Sequence, residues 1–143
     1  MDIRPLSEVY AVSPQIQPED IEAIAAAGIA VVICNRPDGE IPQGLAAEIM
    51  RPLVEAAGMA FVVNPIIGGA LTMENVEAQR AALDGTDRKI LAYCASGNRS
   101  SIVWALALAG RQPTDDLIAV GAPYGYQIAQ FRGLIDQLAQ QSG

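Results

Sequence analysis

Three short apolar runs, Ala30 to Cys34 (AVVIC), Ala60 to Val63 (AFVV) and Lys89 to Tyr93 (KILAY), are separated from one another by segments with helical punctuation. A run that stays apolar without alternating is the pattern of a strand buried on both faces, and such strands belong to parallel sheets covered by helices on either side. The intervening segments fit that arrangement. Pro18, Glu19 and Asp20 place acids at the start of a helix running from Ile21 to Ala27, which Gly28 closes. A second helix is predicted from Gly44 to Ala57, stopped by Gly58, and a third from Met73 to about Leu83, with Thr72 as its N-cap and Glu74 in its first turn. A fourth, short strand is expected around Val9 to Val12. From Ser100 onward the pattern is helical throughout: Ser100 to Ala109, Thr114 to Val120, and Gln127 to about Gln140. The predicted class is therefore α/β, a largely parallel central sheet flanked by helices, with the terminal helices covering one face. Ligands of such sheets bind beyond the carboxyl ends of the strands, where both cysteines, Cys34 and Cys94, fall.

Composition narrows the chemistry further. A 143-residue chain that is 51% hydrophobic is expected to fold as a single domain spanning residues 1–143, and a domain of that size buries roughly 68% of its unfolded surface. The net charge of −7, with basic residues scattered singly, argues against nucleic acid and anionic membranes as partners. The start, MDIRPLSEVY, has no apolar signal core, and no run reaches the roughly 18 residues of a spanning helix, so a soluble cytoplasmic protein is expected. The sequence contains no histidine. Ser-His-Asp and Cys-His mechanisms are thereby excluded, and two cysteines with scattered carboxylates are poor material for a metal site, so neither metal nor cofactor is expected.

The segment YCASGNRSS, residues 93–101, joins a strand to a helix N-terminus. The first turn of a helix leaves several N–H groups unpartnered and favours negative charge. Gly97 lets the backbone of Ala95, Ser96 and Asn98 curl into a nest of amides, and Arg99 offers a planar fork for two oxygens. A thiol at the mouth of that cradle is favoured as the thiolate, and Ser100 could donate a hydrogen bond to it.

The pattern C-x-x-G-x-R-S after an apolar strand resembles the active-site loops of cysteine-dependent phosphatases and of rhodanese-type sulfurtransferases. Together with MDIRPL, VSPQIQPEDI and NRPDGE, it is similar to the beta-lactamase hydrolase-like family, whose single domain has the dual-specificity phosphatase fold. The resemblance runs over nearly the whole chain. It implies Cys94 as nucleophile, Arg99 as anion clamp, Ser100 as the hydroxyl supporting the thiolate, and Ala95 to Asn98 as the amide cradle. It also implies that the strand ending at NRPD lies beside the strand ending at the nucleophile, with Asn35, Arg36 and Asp38 at the rim.

Two departures from the phosphatase pattern shape the functional expectation. Four residues, not the usual five, separate Cys94 from Arg99, a spacing met in many rhodaneses. The loop that supplies a general-acid Asp in that fold corresponds to Pro65 to Thr72 (PIIGGALT) and holds no ionisable residue, which leaves Asp38 or Glu74 as substitutes. The expected substrate is a small anion, either a phosphate ester or a sulfane-sulfur donor. A cysteine-dependent phosphatase with a cysteinyl-phosphate intermediate leads. A sulfurtransferase working through a Cys94 persulfide follows closely, and a non-catalytic oxyanion-binding or redox-sensing module is the third reading. Cys34 is expected as a small core residue, with the alternative that it forms a resolving disulfide with Cys94. Tyr93 is read as packing, and Tyr124 and Tyr126 as either pocket edge or turn.

Overall fold

A computed structural model describes residues 1–142. Its sheet has five strands in the order β1-β2-β5-β3-β4: β1 (Arg4–Pro5), β2 (Tyr10–Ser13), β3 (Ile29–Cys34), β4 (Ala60–Val63) and β5 (Lys89–Tyr93). All pairings are parallel except β1 with β2. The largely parallel sheet predicted from the apolar runs is present. β5 inserts between β2 and β3, so Tyr93 stands opposite Ser13 on one side and Cys34 on the other.

Helices α1 (Ile21–Ala26) and α2 (Ala47–Ala56) cover one face, where Ile24, Met50 and Val54 meet Cys34, Leu91 and Tyr93. Helices α3 (Met73–Asp84), α4 (Asn98–Ala107), α5 (Thr114–Gly121) and α6 (Arg132–Ser142) lie on the other, packing Val76, Trp104, Leu117 and Ile135 onto Val12, Ile33, Ile90 and Ala92. Alternate residues of β5 thus enter opposite cores, which is why its sequence reads as one unbroken apolar run. Trp104 stacks on Tyr10 at 5.8 Å between ring centroids, joining α4 to β2. Among the described residues no helix is long and apolar enough to cross a membrane.

Four elements differ from expectation. The helix predicted from Gly44 begins only at Ala47, after a separate 3-10 turn, Gln43–Leu45. β4 was expected to be buried on both faces, but it is an edge strand with Ala60 and Val63 exposed; an apolar tetrapeptide pairs on one side as readily as on two. α4 begins at Asn98, two residues before the predicted start, because the loop's own turn leads directly into the helix. The predicted last helix divides into a 3-10 turn, Ile128–Phe131, and α6. β1 had no sequence signal at all, being two residues with a proline. Thr72 does cap α3: its hydroxyl accepts the Asn75 amide and Asn75 Oδ1 accepts the Thr72 amide.

Candidate active site

The turn from Cys94 to α4 is fixed at Gly97, whose φ of +96° only glycine adopts readily. A β-carbon there would collide with the Tyr126 hydroxyl and lie 2.9 Å from its ring carbon. The thiol of Cys94 is fully buried, and its sulfur accepts the Gly97 N–H at 3.1 Å. Ser96 O accepts the Tyr126 hydroxyl at 3.1 Å and Arg4 Nη1 at 3.4 Å, while the same Arg4 nitrogen donates to the Tyr126 oxygen at 3.0 Å. The guanidinium of Arg4 lies 5.8 Å from the centroids of both Tyr124 and Tyr126. The amino-terminal strand therefore braces the loop from outside, a purpose its sequence did not disclose. Asn98 ties the other side, its Oδ1 accepting the Gln127 amide at 2.9 Å.

Arg99 projects from the first turn of α4. Its Nη1 and Nη2 donate to the two carboxylate oxygens of Glu40 at 2.8 and 2.7 Å, and Nη1 also donates to Ile66 O at 2.7 Å. This planar pairing holds the Glu40 carboxyl below its usual range and raises Arg99. Glu40 was not singled out from the sequence. It ends the NRPDGE stretch, but its partner lies 59 positions away.

Beneath the loop lies a buried polar cluster, and it corrects two expectations. Asn35 is not at the rim: it is fully buried, donating to Asn64 O at 2.9 Å and to Gln79 Oε1 at 3.0 Å. Ser100 turns away from the thiol, and its hydroxyl donates to Asn35 Oδ1 at 2.8 Å, which engages its one proton. Gln79, on α3, donates to Tyr10 Oη and Asn35 Oδ1 and accepts from Asn35 and Asn64. Tyr10 in turn donates to Ser100 O at 2.9 Å. The start of β2, the carboxyl ends of β3 and β4 and the middle of α3 are thereby joined to the first turn of α4. Every polar atom of the Gln79 amide is used, so Gln79→Leu would leave Asn35, Asn64 and Tyr10 short of partners in a dry site. The expected loss is about 2–4 kcal/mol of folding free energy, read as a lowered urea midpoint.

The remaining expected site residues fall elsewhere. Asp38, the expected substitute acid, accepts the Ala47 amide at 2.9 Å before α2, and neither it nor the exposed Glu74 lines the cavity beside the loop. Arg36, expected at the rim, does not line that cavity; its guanidinium reaches Gln15 Oε1 at 3.3 Å and Glu40. Cys34 and Cys94 are both free thiols. Cys34 faces the α1 and α2 side with Tyr93, its sulfur donating to Arg36 O at 3.4 Å, while the Cys94 sulfur turns to its own loop. Burial pushes the Cys34 thiol up, which further disfavours its thiolate. Tyr93 is packing, as its sequence context suggested. Among the described residues no three Cys, Asp or Glu side chains converge as metal ligands do.

The cavity beside the loop has a volume of about 540 Å³. It is lined by Ser96, Asn98 and Arg99 of the turn, by the Ile66 to Leu71 loop, and by Gln127, Gln130, Phe131 and Leu134.

Residues 2–111 match the family described as beta-lactamase hydrolase-like protein, phosphatase-like domain. The chain belongs to that family. A beta-lactamase hydrolase-like protein of Xylella fastidiosa (strain Temecula1) is 29% identical over 132 residues, which cover 91% of this chain and 31% of that protein. This phosphatase-like domain thus spans about a third of the curated relatives it matches. A candidate phosphatase of Neisseria meningitidis has a solved structure 31% identical to it, with a TM-score of 0.80, covering 96% of this chain and 99% of that one. Another from Shewanella putrefaciens shares the fold at a TM-score of 0.78, 22% identity and coverage of 97% and 89%.

Proposed function

We propose that this phosphatase-like domain is a cysteine-dependent phosphatase acting on small phosphate monoesters. One observation carries the reading: the Cys94 sulfur accepts the Gly97 amide inside a tight turn at the N-terminus of α4, with Arg99 on that helix's first turn. The Cys94 thiolate attacks phosphorus in line, the S–P bond forms as the P–O bond breaks, and the ester oxygen departs and takes a proton from water. Loop amides, the helix N-terminus and Arg99 stabilise the equatorial oxygens where negative charge gathers. Water then attacks the cysteinyl-phosphate, releasing phosphate and restoring the thiolate.

The one carboxylate lining the cavity is Glu40, which Arg99 holds in its charged form. A positioned acid typically contributes about 10² to 10⁴ in rate, so without one the reaction depends on the leaving group. The spacing of four residues between Cys94 and Arg99 favours a second reading, transfer of sulfane sulfur through a Cys94 persulfide. Two assays on the same preparation test the pair: release of phosphate from aryl phosphates of graded leaving-group pKa, and thiocyanate formation from thiosulfate and cyanide. Phosphate release that slows steeply as the leaving group becomes more basic is the expected result. Thiocyanate without phosphate release would transfer the function to sulfur chemistry, and silence in both would make the domain an anion-binding module.

A further inference from the structure

We propose that the cavity beside the loop selects molecules carrying a single oxyanion head and an apolar, ring-sized tail, the head on the Cys94 to Arg99 turn and the tail between the Ile66 to Leu71 loop and the Phe131 to Leu134 segment. The proposal rests on the turn binding an oxyanion, as in the function above, and adds what the rest of the molecule recognises. Arg99 is the one cation among the lining residues and Glu40 the one anion, and the two are paired. A second phosphate on the ligand would find no positive partner, on a chain whose net charge is already −7.

The walls are apolar. Ile66, Ile67 and Leu71 come from the loop that holds no ionisable residue, and Ile67 is 63% exposed at the lip. Ile102, Phe131 and Leu134 add further apolar lining. Gln127 and Gln130 supply neutral amides at the edge, enough to orient a tail without demanding charge. At about 540 Å³ the space exceeds what one phosphoryl group needs and falls in the size range of small-molecule sites. The tail's chemistry is common to an aryl phosphate and an aryl thiosulfonate, so both sources enter the test.

Cys94→Ser protein is titrated calorimetrically with inorganic phosphate, phenyl phosphate, 1-naphthyl phosphate and an inositol bisphosphate, and in a parallel series with benzenesulfonate and naphthalenesulfonate as stable stand-ins for the sulfur donors. Naphthyl phosphate is expected to bind about tenfold more tightly than phenyl phosphate, the return for burying a further ring, and the inositol bisphosphate more weakly than either. The same ratio in the sulfonate series alone assigns the tail pocket to sulfur donors; in the phosphate series it assigns it to esters. Leu134→Gln should bring the naphthyl-to-phenyl ratio toward one, and Gln130→Leu, at an exposed position, should raise it. Because the readout is a ratio within one protein sample, partial misfolding does not imitate it. A ratio near one in both wild-type-walled series, a ratio untouched by Leu134→Gln, or tightest binding by the inositol bisphosphate overturns the proposal while leaving the anion turn standing. Failure of inorganic phosphate to bind at all overturns the anion turn and this proposal together.

Discussion

Cys94→Ser is expected to lower turnover of an aryl phosphate by at least about 10⁴-fold while inorganic phosphate still binds within roughly threefold of wild type. The asymmetry follows from the geometry. The cradle consists of backbone amides, a helix terminus and Arg99, none of which the substitution removes, and a serine oxygen can accept the Gly97 N–H in place of sulfur. What disappears is the nucleophile: a serine hydroxyl ionises far less readily than a thiol, and no histidine exists anywhere in the chain to act as its base. Steady-state assays and calorimetry on the same sample separate the two quantities. Equal loss of binding and turnover would mean that Cys94 holds the loop together and does not react.

Arg99→Lys is expected to lower kcat/KM by about 10² to 10³. A lysine keeps the charge but cannot satisfy both Glu40 oxygens and Ile66 O with fixed geometry as the guanidinium does. Both terminal nitrogens of Arg99 are committed to Glu40, so an incoming oxyanion must share or displace that carboxylate. Glu40→Gln should therefore leave the fork less tightly held and lower the Kd for inorganic phosphate, the opposite sign to Arg99→Lys. The pair also sets a pH dependence. Because Arg99 lowers the Glu40 pKa, the stability the pair contributes is present above the ordinary carboxylate range and is lost as pH falls through the lowered value. Acid titration of folding in wild type and Glu40→Gln measures it, and superimposable acid limbs would contradict it.

Local signals disclosed much of the secondary structure because the central strands β3 and β5 are largely buried on both faces and the helices are punctuated by Gly28, Gly58 and Thr72. The turn from Cys94 into α4 was legible because Cys94, Gly97 and Arg99 lie within six consecutive residues, and a turn into a helix has few backbone solutions. What stayed hidden acts across the chain. Asn35 looks like a rim residue from NRPDGE, yet it extends β3 by one position, its amide donating to Tyr93 O, and its side chain turns in toward Gln79. Nothing near Gln79 or Tyr10 in sequence indicates that they meet, since 69 positions separate them. The service of Arg4 and Tyr126 to Ser96 O is equally nonlocal. Asp38 looked like an acid, but its carboxylate accepts the Ala47 amide at the start of α2, nine positions away, a partner that its Pro-Asp-Gly turn does not disclose.

Cys94 is expected to become covalently phosphorylated during turnover. Acid-quenching the wild-type domain within its first turnovers on an aryl phosphate, then mapping the peptides by mass spectrometry, measures this directly. The expected result is the mass of one phosphoryl group on the Cys94 peptide and none on the Cys34 peptide. An unmodified Cys94 peptide at times when product is forming, or one carrying an added sulfur atom, would contradict it.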